Sequence, residues 1–450
     1  MTTHRARPTT AALLAAGLAL TMAACAPGGG GGSSDEPTGE VSTDVAAAGD
    51  VTLRLTDFWG SAEGEWIDGL IAEFEKTYPN VTIDRTQEDW GQLNSTLNLQ
   101  LQDDGGPDIA SANNGWQSLG TLGKGGLVLN LDAYAEAYGW DDLVPTTIKR
   151  QNTFTTDFTT MGEGSWFGTP VARTSLIGLY YNVEKLDALG IDPPTDLASL
   201  EDAAAAAKAA GEIPFQYGSM DGSTSALLGV QALLADRDQL NDYIYDSPDV
   251  TAEDVKMTEA VETVARWAAD GWFPDSFEGI DYQTAVASYL DGQGVFRWEY
   301  TGSLGLDAEQ QTQFGYLQLP QADGSTVGVG AAPGAMVISA KSEHPDVAAA
   351  FLDFLMSPTA AQQAADLGLV PALDPDVQVP AESLSLTGES AGAAALDADD
   401  GYVPYFDWSS PSMLDTISQN IQLVYAGKMT AEEFTAAVDA DRDAFLAEQG

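Results

Sequence analysis

The chain has 450 residues and a formal net charge of −50, from 18 Lys and Arg against 68 Asp and Glu. That balance excludes nucleic acid as a partner, because displacing counterions from phosphates needs a basic face. It also disfavours charge-driven docking on an anionic membrane. One Cys and two His leave no intrachain disulfide, no Cys/His zinc site and no c-type haem motif. His344 sits in Glu343-His344-Pro345, a helix start, so a Ser-His-Asp machine is unsupported. No GxxxxGK[ST] occurs, and the glycines at 28–32 follow no strand, so phosphate cradling is unsupported too. Function must rest on carboxylates, amides, hydroxyls and aromatics. Hydrophobic residues at 44% permit a full core, and the length suggests roughly three units.

His4, Arg5 and Arg7 form a basic start, and Ala11 to Ala24 is small and apolar apart from Thr21. This stretch is too short to span roughly 30 Å of hydrocarbon, so it reads as a secretory signal. It ends in Leu20-Thr21-Met22-Ala23-Ala24-Cys25, which resembles a bacterial lipoprotein cleavage box, with Met22 departing from the usual residue. The resemblance implies removal of residues 1–24 and a lipid on Cys25. The alternative is a soluble secreted protein with a stray Cys. Residues 25–49, rich in Gly, Ser, Pro and acids, read as a flexible tether. Its reach would be roughly 25–30 Å.

Val51 to Leu55 alternates as a strand, and Trp66, Ile67, Leu70, Ile71 and Phe74 fall on one helical face. Val81 to Ile83 resumes a strand, giving a β-α-β unit with a parallel pair. A helix over Leu93 to Leu101 and a strand near Ile109 follow. Ile177 to Tyr181 reads as a strand, and Val183 to Leu189 as a helix stopped by Gly190. Ser199 with Asp202 and Thr251 with Asp254 read as helix caps. Pro345 and Pro358 each start a helix, and Thr430 with Glu433 forms a capping box. No internal period stands out, so solenoids and propellers are rejected. The alternation means α/β, in two blocks.

Several stretches, taken in order, are similar to the sugar-binding, maltose-binding-protein-like family of solute-binding lipoproteins that serve ABC importers. They are Phe74-Glu75-Lys76-Thr77-Tyr78-Pro79-Asn80-Val81; Gly106-Pro107-Asp108-Ile109 with Leu122 to Leu127; Gly168-Thr169-Pro170 leading to Leu179-Tyr180-Tyr181-Asn182-Val183; Tyr316 to Pro320; and Gly427 to Phe434. Their order and spacing run through nearly all of residues 51–446. Asp196-Leu197 departs from the family's usual residues after the prolines. The resemblance implies an α/β, two-lobed periplasmic-binding-protein-like fold, with a ligand cleft between lobes joined by crossover strands. The crossovers would lie near Thr169–Leu176, Val329–Ile338 and Ala393–Pro404. Residues 50–172 and 335–400 would form one lobe, and 173–334 and 401–450 the other. The implied partners are a mono- or oligosaccharide and the transmembrane subunits of an ABC permease. A monomer is expected, with no cofactor and no catalytic residue.

A sugar offers hydroxyls on its rim and C–H groups on its faces, so a site needs flat rings and paired donors and acceptors. In open α/β sheets these groups lie beyond the carboxyl ends of strands. That rule selects Trp59 and Glu63 after the first strand, Asp89 after the second, and Asn113, Asn114 and Trp116 after the third. Trp59 has little local core to join, while Asp89 reads equally as a cap of the next helix and one Asn reads as a helix cap. Arg173 lies at the first crossover, as a ligand contact or an interlobe ion pair. Trp298 and Glu299 follow an apparent strand, and Gly334 lies on the return crossover, where backbone can approach ligand. Asp407 and Trp408 precede a helix at a place where the family commonly puts a stacking aromatic. Trp66 and Trp267 read as core. Asp439, Asp441 and Asp443 imitate a calcium loop without its Gly and closing Glu, and read as a solvated helix face. Asp397, Asp399 and Asp400 read as loop. No metal site is expected, though calcium held by distant carboxylates is left open. The runners-up are a carbohydrate-active enzyme using a carboxylate pair and a surface lectin without a transporter.

Overall fold

Two sheets with helices on their faces organise the chain, in a computed structural model that describes residues 41–449 except 246, 332, 333 and 375. The expected signal, the lipid site at Cys25 and the first part of the tether lie outside the described residues. No helix among the described residues is long and apolar enough to cross a membrane.

The first sheet holds β1 (Val51–Asp57), β2 (Val81–Gln87), β3 (Ile109–Ala112) and a returning strand, Ala335–Ile338, in the order returning strand, β3, β1, β2. β1 runs parallel to β2 in register from Val51↔Val81 to Asp57↔Gln87, and parallel to β3 at Leu55↔Ile109. The returning strand is antiparallel to β3, with Ala335 opposite Ala112. α1 (Ser61–Thr77) joins β1 to β2 and buries Trp66, Ile67, Leu70, Ile71 and Phe74. α2 (Trp90–Gln102) joins β2 to β3 and buries Leu93, Leu97 and Leu101. All three parallel strands therefore point their carboxyl ends the same way.

The second sheet is built on β4 (Ser175–Asn182), which is antiparallel to β5 (Phe296–Tyr300), β6 (Phe314–Leu317) and β7 (Gly328–Ala331). A short edge strand, Tyr402–Val403, runs parallel to β7. Three passages link the sheets. Residues 169–174 bridge the returning strand at Thr169↔Met336, then Arg173↔Pro371, before entering β4. The second passage joins β7 to the returning strand. The third includes residues 370–372, where Thr174 N–H donates to Val370 O and Ala372 N–H to Ala172 O.

The third passage lies earlier than the sequence reading places it. The helix Leu384–Asp399 packs on the second sheet, where Leu386, Ala393 and Leu396 share a small core with Leu176, Val370 and Tyr402. Residues up to 400 therefore do not stay with the first lobe.

Other local expectations need correction. Residues 44–49 are not tether: Asp44 caps a short 3₁₀ turn, Val45 is buried, and Asn80 Nδ2 donates to the carbonyls of Val45 and Gly49. The cap of the Ala-rich helix is Asp196, boxed with Ser199, so the helix starts at Leu197. Thr251 and Asp254 close a turn of their own, and the next helix begins at Met257. Asp439 and Asp441 are not a solvated face: Asp439 accepts from Ala252 N–H at 2.7 Å, and Asp441 from Thr416 Oγ1 at 2.6 Å. They tie the last helix, Ala431–Gln449, to its neighbours. Asp397 and Asp399 end a helix rather than sit in a loop, and Asp399 accepts from Thr326 N–H at 2.7 Å.

Candidate functional site

The carboxyl ends of β1 and β3 meet the passages and the segment 405–408, and most candidate residues gather there. β3 ends at Ala112, so Asn113 and Asn114 start the loop that faces the second lobe. Asn113 Oδ1 accepts from Trp408 Nε1 at 3.2 Å, and Trp116 N–H donates to Trp408 O at 2.9 Å. A Cβ on Gly115 would overlap the Trp408 side chain, and Gly115 has φ +66°, so Gly is required on both counts. Gly334 plays the same part opposite: its φ is +74°, and a Cβ would crowd Ser111 Oγ and approach the Phe58 ring at 3.4 Å.

A second group forms around the first passage. Arg173 Nη1 pairs with Glu63 Oε1 at 2.8 Å, and the guanidinium lies 5.1 Å from the Trp59 ring centre and 5.6 Å from that of Trp66. Arg173 thus takes the ion-pair alternative. Trp59 does find a local core: it is fully buried and packs edge-on against Trp66, with centroids 5.7 Å apart. Tyr405 links the groups. It lies 5.3 Å from Trp408 between centroids and 5.9 Å from Tyr300, and its hydroxyl donates to Ser175 O at 3.2 Å.

The other candidates are placed differently. Trp116 packs against Phe154 and Phe445 at 5.0 and 4.9 Å between centroids, a core position. Asp89 is exposed and caps α2 through Gly91 and Gln92 N–H. Trp298 is buried in the main core of the second lobe. Glu299 is fully buried with both oxygens engaged, Oε2 by Arg297 Nε at 2.9 Å and Oε1 by Tyr300 N–H at 2.9 Å. Arg297 and Glu299 share one face of β5 by two-residue alternation, a signal that was legible. Tyr300 and Tyr405 were passed over although their segments were noted. Gln151 and Asn152, which receive the Asn114 amide at 2.9 and 3.2 Å, follow no long strand and gave no signal.

Several buried polar atoms around these groups have no hydrogen-bond partner among the described residues. They are Trp59 Nε1, Ser111 Oγ, Asn114 Oδ1, Gln151 Oε1, Thr169 Oγ1, and Arg173 Nε and Nη2. Each such atom costs about 1–3 kcal/mol when left unpaired. These atoms lie on segments that meet between the lobes. Asp407 belongs here as well. Burial pushes its carboxyl up to about 6, against a lowering by its own backbone and by the Asn113 side chain. A cavity of about 510 Å³ lies elsewhere, along the third passage, and touches only Arg173 of the candidates.

A family model described as bacterial extracellular solute-binding protein matches residues 69–382. A probable sugar-binding periplasmic protein of Rhizobium meliloti (strain 1021) is 23% identical over 214 residues, 47% of this chain and 48% of that one. The chain therefore spans about half the length of the curated relative it matches. A chitin oligosaccharide binding protein shares the fold with a TM-score of 0.73 at 19% identity, over 88% of this chain and 99% of that one. So does a binding protein named SBP RafE, solved with raffinose, with a TM-score of 0.68 at 18% identity, over 88% and 100%.

Proposed function

Because the chain belongs to the bacterial extracellular solute-binding protein family, we propose that it captures a sugar or oligosaccharide between its lobes and delivers it to an ABC importer. The observation that carries this reading is the set of buried donors and acceptors without partners among the described residues, on segments that meet those bearing the rings of Tyr405 and Trp408. Hydroxyls answer the polar atoms and C–H faces answer the rings, which is the chemistry of a carbohydrate. The sugar-binding relative supports the same class. A glycosidase would need two carboxyl groups free to reach substrate, whereas Glu63 and Glu299 are each held by a guanidinium. The ligand works by favouring the arrangement in which the lobes enclose it. A lipid on Cys25 would keep the protein at the extracellular face of the membrane, as a monomer, beside its permease.

A thermal-shift screen over mono- and oligosaccharides, peptides and polyamines tests this reading. A sugar at about 100 times its Kd adds about 2.7 kcal/mol of stability. Stabilisation by a peptide alone, with every sugar silent, would overturn it.

A further inference from the structure

Three carboxylates around the cleft, two of them buried, are paired with guanidiniums. Asp57 is held by Arg85, Glu63 by Arg173 and Glu299 by Arg297. Asp407 is not so held. Its residue is 8% exposed, and the groups acting on its carboxyl are its own backbone and the neutral Asn113 amide. The ionisable groups on neighbouring elements are already committed. Arg173 reaches Tyr405 electrostatically but is paired with Glu63. Tyr243, which stacks on Phe406, faces Asp439 and lies under Arg442 at 4.2 Å. Asp441 accepts from Thr416. Asp407 is thus a buried carboxylate that enters no ion pair among the described residues.

Aromatic rings lie on the same segment and beside it. Tyr405 stands 5.3 Å from Trp408 and 5.9 Å from Tyr300. The charge of Asp407 is felt by both tyrosines, whose hydroxyls burial already holds above their ordinary range. A buried carboxylate with no counter-charge is unfavourable. With rings close by, whose faces attract cations, the group that satisfies it best is a positive one. A neutral hydroxyl donates a hydrogen bond but leaves the charge uncompensated.

We infer that the captured solute carries a protonated amine received by Asp407 among the rings of Tyr300, Tyr405 and Trp408, which makes it an amino sugar or an oligomer containing one. The inference rests on the sugar-capture reading and narrows its ligand class. The recognition is a charge-assisted hydrogen bond, N⁺–H to carboxylate, stronger than a neutral one. It operates where Asp407 is ionised and the amine is protonated, and it weakens in acid as Asp407 takes up a proton.

Calorimetric titration of the protein with glucosamine oligomers and N-acetylglucosamine oligomers of equal length, plus spermidine, separates the outcomes. The amine form should bind about tenfold or more tighter near neutral pH. That ratio should shrink at about pH 5, below the Asp407 range, and collapse in Asp407→Asn. The pH series uses the native chain alone, so it decides the matter even where Asp407→Asn fails to fold. Equal or tighter binding of the N-acetylated form overturns the amine and leaves sugar capture standing. Binding of spermidine with no sugar sinks sugar capture and keeps the amine. Binding of none of the three overturns the amine inference.

Discussion

Glu389 is a second carboxyl buried without a cation, and it makes stability depend on pH. Tyr180 OH donates to its Oε1 at 2.7 Å, while Oε2 has no partner among the described residues. Burial pushes its acid up to about 7 from an ordinary 4.5, with Tyr180 pulling the other way. The folded state therefore holds the proton at a pH where the unfolded chain has released it. Stability falls as pH rises from about 4.5 to about 7, by on the order of 3 kcal/mol from this group, and levels off above. Urea unfolding across that range should show the decline, and Glu389→Gln should make it shallower, leaving the part that Asp407 contributes below about 6. An unchanged slope in the variant would show that this carboxyl is not the source. At this scale the sequence was informative where a residue acts at a strand end. The strand-end rule points to Asn113 and the family resemblance to Trp408, and the two meet. It was misleading for Glu299, because the partner that consumes it, Arg297, was not weighed.

α1 and the first passage are tied by one ion pair, Glu63 in the first turn of the helix to Arg173. Arg173 is 1% exposed and sits against two indoles, so its charge has no access to water. Glu63→Gln removes the anion and leaves the guanidinium buried. The expected loss is about 3–5 kcal/mol, read as a lower urea midpoint at an unchanged slope. A shift equivalent to less than about 0.5 kcal/mol would mean that Arg173 finds another partner. The order of elements was legible because helical faces such as Trp66, Leu70 and Phe74 repeat clearly. Cap positions were less so. Asp196–Ser199 and Ser199–Asp202 overlap and fit the same rule, and nothing local chooses between them. The helix Leu384–Asp399 was assigned to the wrong lobe for a related reason. Its buried face, Leu386, Ala393 and Leu396, shows that it packs but not against which sheet.

The whole molecule explains why so much charge coexists with so apolar an interior. The excess of acids is largely on the surface, while Asp57 and Glu299 are buried against guanidiniums and Asp407 and Glu389 are buried without one. Two sheets, joined by three passages, bring the loop after β3 onto the segment 405–408, residues almost 300 positions apart in sequence. That juxtaposition is a property of the fold, and no sequence spacing reports it. The resemblance supplied the two lobes; the identity of their meeting residues had to come from the structure. The central claim is that a sugar lodges where Trp408 and Asn113 meet. Calorimetry with the best-stabilising sugar on the native protein and on Trp408→Ala tests it. The expected result is a loss of about 2 kcal/mol or more, some thirtyfold in affinity, with the variant still folded. Unchanged affinity in a folded Trp408→Ala would contradict it.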